Sequence, residues 1–428
     1  MTAELRGLEL DVEKLVPGGD ALARLPDGQV LFLRGAAPGD RVRLLGVEKQ
    51  RGALRALDFE LVRPSPERVT PECPVAASCG GCDLMHLSRD AELQQKRAML
   101  TDALGRVGGF AASAPALSTA GQASGYRSRV RFHVGRHGKL GFFARGTHQL
   151  VEVPRCLVAD PRINAALGLL RRLARRFPDA LAGFSDVELR ATEVGVTARF
   201  VSREGIKPIA AEPFLRALAK ELKVAATDRE AAALLETRPV GVGCELLIPA
   251  DAFSQINVAV NALLVEAVLE GARARGLRSF CDLFAGVGNF ALPLAREGLT
   301  GVMIEKMPSA VEAAKSAALA QGLRGLKARA VDAARGLRDL LHEGQRFDLV
   351  LLDPPREGAS DVVASIAGLG PRAVAYVACD PVTLARDLKP LLAAGLKIAS
   401  VQAFDMFPRT HHFETLVWLD AGSEPVGS

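Results

Sequence analysis

Between Leu8 and Val62 the apolar residues come in short runs, QVLFLRG, DRVRLLGV and ALRALDFELV, separated by the polar turns PGGD, PDG and APGD. Runs this short, punctuated by Gly and Pro, predict a small antiparallel barrel. Pro64, Pro66, Pro71 and Pro74 follow as a stiff connector, since each fixes φ and removes a backbone donor. From Asp90 to Val107 the apolar positions recur at helical spacing and stop at Gly108-Gly109, which predicts a helix. Strand-like runs return between Tyr126 and about Leu247 (VRFHV, KLGFF, LVEV, GVTARF), with one helix near Ile163 to Phe177. This is a second, mostly β region.

After Phe253 the pattern changes. SFCDLF, GVMIE, FDLVLLD, AVAYVAC and KIASVQAF read as strands, and each but the last is followed by an Ala- or Leu-rich helical stretch. Such alternation predicts an α/β domain with a mainly parallel, doubly wound sheet. The expected architecture is multidomain: a small β-barrel over 1–63, a mostly β central region over 64–247, and a doubly wound α/β domain over 248–428. The helix of about 90–107 is a candidate to pack on the last of these.

Composition narrows the class. A chain of 428 residues is too long for one ordinary core, and 49% hydrophobic with 24% charged residues describes a globular chain rather than a disordered one. Its longest apolar runs, such as Leu391 to Leu396 and Ala373 to Ala378, fall well short of the ~18 residues a membrane span needs. The start, MTAELRGLELDVEKL, carries acids and no apolar centre, unlike a secretion signal. A cytoplasmic, monomeric protein without a membrane partner is the expectation. The net charge of +5 is uneven, with twelve Arg or Lys between Gly121 and Arg176 against Glu152 and Asp160. That block fits a surface for RNA phosphates or a solvated Arg-rich face, and charge alone does not choose.

Asp282-Leu283-Phe284-Ala285-Gly286-Val287-Gly288-Asn289-Phe290 follows a strand and opens a helix, and Glu305 ends the next strand nineteen residues after Gly286. The glycine spacing alone fits a dinucleotide site. Asp282 argues against it, because a carboxylate before the turn repels a pyrophosphate docked on the helix N-terminus. S-adenosylmethionine has no phosphate and carries an ammonium and a sulfonium, so acids around the turn favour it, and Glu305 is placed to take both ribose hydroxyls. Asp332, after the strand KARAV, is a candidate for the adenine amino group or simply a helix N-cap.

Asp353-Pro354-Pro355-Arg356 ends the strand FDLVLLD at the carboxyl edge of the sheet, where open α/β folds bind ligands. Methyltransferases acting on exocyclic amines place Asn-Pro-Pro and an aromatic there, and Arg356 argues against that target. Cys379 ends the next strand at the same edge. Carbon 5 of uracil is a poor nucleophile until a thiolate adds to carbon 6 and generates an enolate, which gives a cysteine in this position a chemical purpose. Glu414, expected in the loop after Phe407-Pro408, is the candidate base for the carbon-5 proton once burial raises its pKa.

FSQIN (Phe253 to Asn257), DLFAGVGNF, DPPREG, YVACDPVTLARDL and DMFPRTHHFE, in this order and spacing, resemble the RNA 5-methyluridine methyltransferase family over nearly the whole chain. The first sixty or so residues resemble the OB-like TRAM barrel, a nucleic-acid-binding module of many members. The resemblance implies a class I methyltransferase domain with Cys379 as nucleophile and Glu414 as base. It also implies that Gln255, Phe284, Asn289, Glu305, Asp332 and Asp353 line the cofactor and uracil pocket. Asp380, where Asn is commoner, and His411, at a variable position, are departures that leave the chemistry intact.

Members acting on 23S ribosomal RNA also hold a 4Fe-4S cluster on Cys-x5-Cys-Gly-x-Cys plus a distant Cys, a pattern that Cys73, Cys79, Cys82 and Cys156 match. Four thiols in a chain without a secretion signal satisfy a closed cubane and argue against a disulfide scaffold, while spacing alone leaves zinc open. The expected partner is RNA, ribosomal before transfer RNA. The alternatives are the same chemistry on the tRNA T-loop uridine, or a non-catalytic RNA-binding protein or chaperone, against which the intact Cys379 and Glu414 speak.

Overall fold

A computed structural model describes residues 5–50, 52–110, 115–206, 209–226, 230–231 and 233–422 of the chain. Residues 1–4 and 423–428, the ends of the expected barrel and α/β regions, lie outside the described residues.

Strands β1 (Glu9–Leu15), β2 (Ala21–Arg24), β3 (Val30–Leu33), β4 (Arg41–Gln50) and β5 (Ala53–Arg63) close a barrel in the order β1-β2-β3-β5-β4. Side chains alternate across a strand, so Leu10, Val12 and Leu15 of β1 and Val42, Leu44 and Val47 of β4 point inward and are buried. The barrel is not wholly antiparallel: β3 pairs with β5 in parallel. A ring of five strands cannot alternate direction all the way round, so one pair must run the same way. Asp40, fully buried, knots the barrel to the connector by accepting from the backbone N–H groups of Ala37 (2.6 Å) and Ser65 (2.8 Å) and from Arg68.

Helix α1 (Arg89–Ala103) begins where the Ser88 side chain accepts from the Ala91 N–H, and it runs into a single π turn that ends at Gly109 in the left-handed region. Its inner side carries Met99 and Leu100, which share one core with the barrel and with one face of the C-terminal sheet. The central region is a six-stranded sheet among the described residues, ordered β12-β11-β10-β7-β8-β9. It comprises β7 (Arg129–Val134), β8 (Leu140–Phe143), β9 (Leu150–Glu152), β10 (Phe184–Thr192), β11 (Gly195–Ser202) and β12 (Lys223–Ala225). Val130, Phe132 and Val134 face α2 (Pro161–Arg176) and α3 (Glu212–Leu218), leaving Arg129, Arg131 and His133 on the other side. The hairpin of β13 (Leu235–Gly241) and β14 (Cys244–Pro249) packs instead against α4 (Val258–Ala274) of the C-terminal part.

The C-terminal sheet has eight strands among the described residues, in the order β17-β16-β15-β18-β19-β21-β20-β6. β15 (Ser279–Leu283), β16 (Thr300–Glu305), β17 (Leu326–Ala330), β18 (Leu349–Leu352) and β19 (Ala373–Ala378) run parallel. β21 (Glu414–Ala421) is antiparallel and sits between β19 and β20 (Leu396–Phe404), and β6 (Leu117–Ser118), from ahead of the central sheet, extends the far edge. β18 and β19 are buried along their whole length, as strands covered by helices on both faces must be. The helices between strands include α5 (Ala291–Arg296), α6 (Pro308–Ala320), α7 (Ala333–His342), α8 (Ser360–Val363) and α9 (Pro381–Ala393). Parallel strands all end on one side, so β15, β16, β18 and β19 deliver Asp282, Glu305, Asp353 and Cys379 to a common edge.

Candidate active site

The turn after β15 is built for close approach. Phe284 takes φ +63° without being glycine, and Gly286 and Gly288 continue in the left-handed region at +55° and +88°. A Cβ on Gly288 would stand 3.0 Å from the Leu292 side chain, so this glycine also lets the turn pack on α5. Glu305 fixes the turn from the neighbouring strand, its two oxygens accepting the Gly286 N–H (3.0 Å) and the Met307 N–H (2.9 Å). Asn289 exchanges two hydrogen bonds, 2.8 and 3.0 Å, with Asn261 of α4. The only sequence signal for Asn261 was an amide on an otherwise apolar helix face. Asp332 is the N-cap of α7, exposed, and accepts from the Arg335 N–H at 3.0 Å.

Beneath the turn lies Asp282, fully buried, with no side-chain partner for either oxygen and only the Ala291 N–H nearby. Burial, with the charges of Asp353 and Glu305 beside it, pushes its carboxyl well above the usual carboxylate range. A buried acid facing two other acids is the environment that a cationic ligand relieves. This donor set therefore fits the ammonium and sulfonium of S-adenosylmethionine.

On the adjacent strand ends, Cys379 is half-buried after β19. Glu414 is not in a loop, as the sequence suggested, but is the first residue of β21, only 3% exposed. The reason is the pairing of Ala378 with Thr415 and of Phe404 with Glu414, which starts the strand at the last residue of the polar run THHFE. Burial drives Asp353 up to about 7, with the Gln255 amide working against it. Burial and the nearby Asp353 hold Glu414 well above its ordinary value. Cys379 is pushed up to about 12 by burial first and then by Glu414, Asp353 and Asp380, opposed by Arg356. One oxygen each of Glu414 and Gln255 is buried without a partner, so the site holds unspent hydrogen-bonding capacity. Asp380 caps α9 by accepting from the Val382 and Thr383 N–H groups, both 2.9 Å, which an Asn would do equally well.

Gln255 arrives on a segment held by buried charges. Arg238 donates to the Gln255 carbonyl at 2.8 Å and pairs with Glu236, while Arg190 donates to the carbonyls of Pro249, Ala250 and Ala252. Sequence reasoning missed this support, since arginines in strands read as surface residues.

Cys73, Cys79, Cys82 and Cys156 are free thiols in one neighbourhood. Burial raises the last three, Cys82 to about 12, and the other thiols add to the rise while the Arg127 guanidinium opposes it. As placed, however, no group of three or more metal-donor side chains among the described residues stands close enough to hold an ion.

The tRNA (uracil-5-)-methyltransferase family model matches residues 245–422. The chain is 32% identical over 412 residues to a 23S rRNA (uracil(1939)-C(5))-methyltransferase RlmD of Alkalilimnicola ehrlichii, covering 91% of each. It is 34% identical over 435 residues to the protein of the same name from Chromohalobacter salexigens, covering 96% of this chain and 88% of the relative. Among solved structures, the Pyrococcus abyssi tRNA (uracil-54, C5)-methyltransferase bound to S-adenosyl-L-homocysteine superposes with a TM-score of 0.74 at 23% identity, over 96% of this chain and all of that one (100%). That likeness concerns the fold.

Proposed function

The chain belongs to the family of 23S rRNA (uracil-C5) methyltransferases, S-adenosylmethionine-dependent enzymes that methylate uracil carbon 5 in RNA, and from that premise we propose a substrate and a role for each site residue. The substrate is a uridine of 23S ribosomal RNA. The observation that carries the reading is the gathering of a half-buried thiol, Cys379, a half-buried carboxyl, Asp353, and a buried one, Glu414, on neighbouring strand ends.

Cys379 passes its thiol proton to the neighbouring Asp353 carboxylate and adds as thiolate to carbon 6 of the uracil, forming an S–C6 bond and an enolate whose carbon 5 is now nucleophilic. Phe284, Asn289, Glu305 and Asp332 would hold S-adenosylmethionine at this edge, and the bound cofactor would supply the methyl group that the nucleophilic carbon takes up. Glu414 then takes the carbon-5 proton, the electron pair forms the C5–C6 double bond, and the thiolate leaves. A carboxylate acting on a carbon acid gains from a raised pKa, and burial beside Asp353 supports that assignment. Gln255 and Asp353 hold the uracil and keep a proton within the acid pair.

The finer reading includes a four-thiolate iron-sulfur cluster on Cys73, Cys79, Cys82 and Cys156, supported by their spacing, their shared neighbourhood and Arg127 as a counter-charge. Binding would have to draw the sulfurs inward from their present positions. A cytoplasmic location belongs to the same reading.

The test is methylation of unmodified 23S and transfer RNA by purified protein, with mass-spectrometric mapping of 5-methyluridine. Product in 23S RNA alone is expected. Product confined to transfer RNA would overturn the substrate, and none in either would leave the non-catalytic RNA binder.

A further inference from the structure

The turn of residues 405–413, which joins β20 to β21 and delivers Glu414, is closed internally by Thr410, whose N–H and hydroxyl both donate to the Phe407 carbonyl, and is tied down further from outside. Four successive carbonyls in it accept from four different places. Met406 accepts from the Asn257 amide (3.3 Å), Phe407 from Lys96 Nζ (3.1 Å), Pro408 from the Tyr126 hydroxyl (3.0 Å), and Arg409 from the N–H groups of Asp83 (3.1 Å) and Leu84 (3.0 Å). Arg409 takes φ +68°, the left-handed region that a non-glycine residue adopts only when held there, and its own N–H donates to Glu92 Oε1 at 2.7 Å.

At the centre of this strap Arg89, Lys96 and Arg409 gather around Glu92 and Asp405, the Arg409 guanidinium standing 3.7 Å from Glu92. Lys96, Glu92 and Asp405 have fully buried side chains, and Arg89 pairs with both acids. Lys96 spends all three donors, on Glu92 (2.9 Å), Asp405 (2.6 Å) and the Phe407 carbonyl. Desolvating such a cluster costs as much as its ion pairs return, and apolar residues of the same size would pack as stably. What charges add is direction: Lys96 fixes the Phe407 carbonyl and Glu92 the Arg409 N–H, each at one place.

We propose that Lys96, with Glu92, is a positioning residue for the proton-abstraction step, strapping the 405–413 turn over Glu414 so that its carboxyl stays dry and aimed at the Cys379 side. Strand pairing with Phe404 and β19 already fixes the Glu414 backbone, so the strap governs the side chain and its cover, not the strand. The proposal rests on Glu414 being the base. It also joins the cysteine segment to catalysis, because Asp83 and Leu84 directly follow Cys82 in the chain.

The experiment compares Lys96→Met, Glu92→Gln and Glu414→Gln with the parent as full-length proteins. Each is measured for thermal unfolding, for S-adenosylmethionine affinity, and in single turnover on RNA carrying 5-deuterated uridine. A misaimed base slows only the last step, so folded Lys96→Met should bind the cofactor like the parent and transfer the methyl group. Breakdown of the covalent protein–RNA adduct should then fall about a hundredfold, with a larger deuterium isotope effect. Glu92→Gln, which keeps an acceptor for the Arg409 N–H, decides the matter by the same readouts if Lys96→Met does not fold. Parental adduct lifetime and isotope effect in the folded variant, or equal slowing of adduct formation and breakdown, would overturn the proposal. If Glu414→Gln itself traps no adduct, the assignment of the base fails instead, a result distinct from trapping by Glu414→Gln but not by Lys96→Met.

Discussion

Two acids and a thiol within one buried site must titrate as a group. Because burial disfavours both charges and Asp353 repels Glu414, one proton is retained by the pair well into the neutral range, Asp353 standing at about 7. Glu414 acts only as a carboxylate, so the elimination rate should rise with pH through this ionisation and level off above it. Asp353→Asn removes the repelling charge and lowers the Glu414 pKa, so the acid limb of the single-turnover pH profile should move to lower pH, even though total activity falls. An unmoved limb would remove Asp353 from the pair. The nucleophile separates from the base by the stage at which each is needed. Cys379→Ala should form neither adduct nor product, whereas Glu414→Gln should leave methylated RNA attached to the protein, read on a denaturing gel with labelled methyl donor. Cys379 and Asp353 were legible in the sequence because each ends an apolar run. The burial of Glu414 was not, because THHFE reads as polar loop until strand pairing covers it.

The barrel shows how one side chain fixes an element. Asp40 sits at the end of the turn before β4 and gathers two backbone N–H groups and the Arg68 guanidinium onto one carboxylate. Burial would raise its pKa, but Arg68 and the Ser65 and Ala37 N–H groups outweigh burial and hold it below the usual range. A carboxyl depressed on folding stabilises fully above its unfolded pKa, and that contribution fades as pH falls through the folded value. Asp40→Asn should therefore cost about 3 kcal/mol at neutral pH, as does removing one partner of a buried pair, and much less at an acid pH below the ionisation of the folded carboxyl. Chemical denaturation of both proteins at the two pH values checks this, and an equal cost at both would mean that the charge is immaterial. Helix α4 shows the opposite economy of space: a Cβ on Gly271 would meet the Trp418 ring at 2.3 Å. Gly271→Ala should lower stability by about 1–3 kcal/mol through overpacking, despite the better helix propensity of alanine. A raised melting temperature would contradict that contact. The apolar runs anticipated the barrel strands β3, β4 and β5 within a few residues, but not the parallel β3–β5 pair or the place of β6, because pairing partners distant in sequence leave no local trace.

At the scale of the whole molecule, barrel, α1 and one face of the catalytic sheet share a single continuous core, with the central sheet built on a core of its own. RNA held by the first and last parts would thus meet one connected body. The cysteine loop is the part whose state most needs measurement. Anaerobically purified protein should be brown with about four irons per chain, and Cys73→Ser should lose the colour. Colourless protein with one zinc would replace the iron reading with a zinc site. The sequence by itself determined the order of domains, the sheet edge that gathers Asp282, Glu305, Asp353 and Cys379, and the chemistry these residue types permit. Parallel strands with apolar runs must end together, and thiolate addition to uracil has few substitutes. Only the tertiary structure decided that Glu414 is dry, that Asn261 orients Asn289, and that Lys96 and Glu92 are buried under the 405–413 turn. Those facts depend on which distant segments lie over a residue. A charged side chain looks solvated in sequence until a partner some 300 positions away encloses it, as Asp405 encloses Lys96 at a separation of 309.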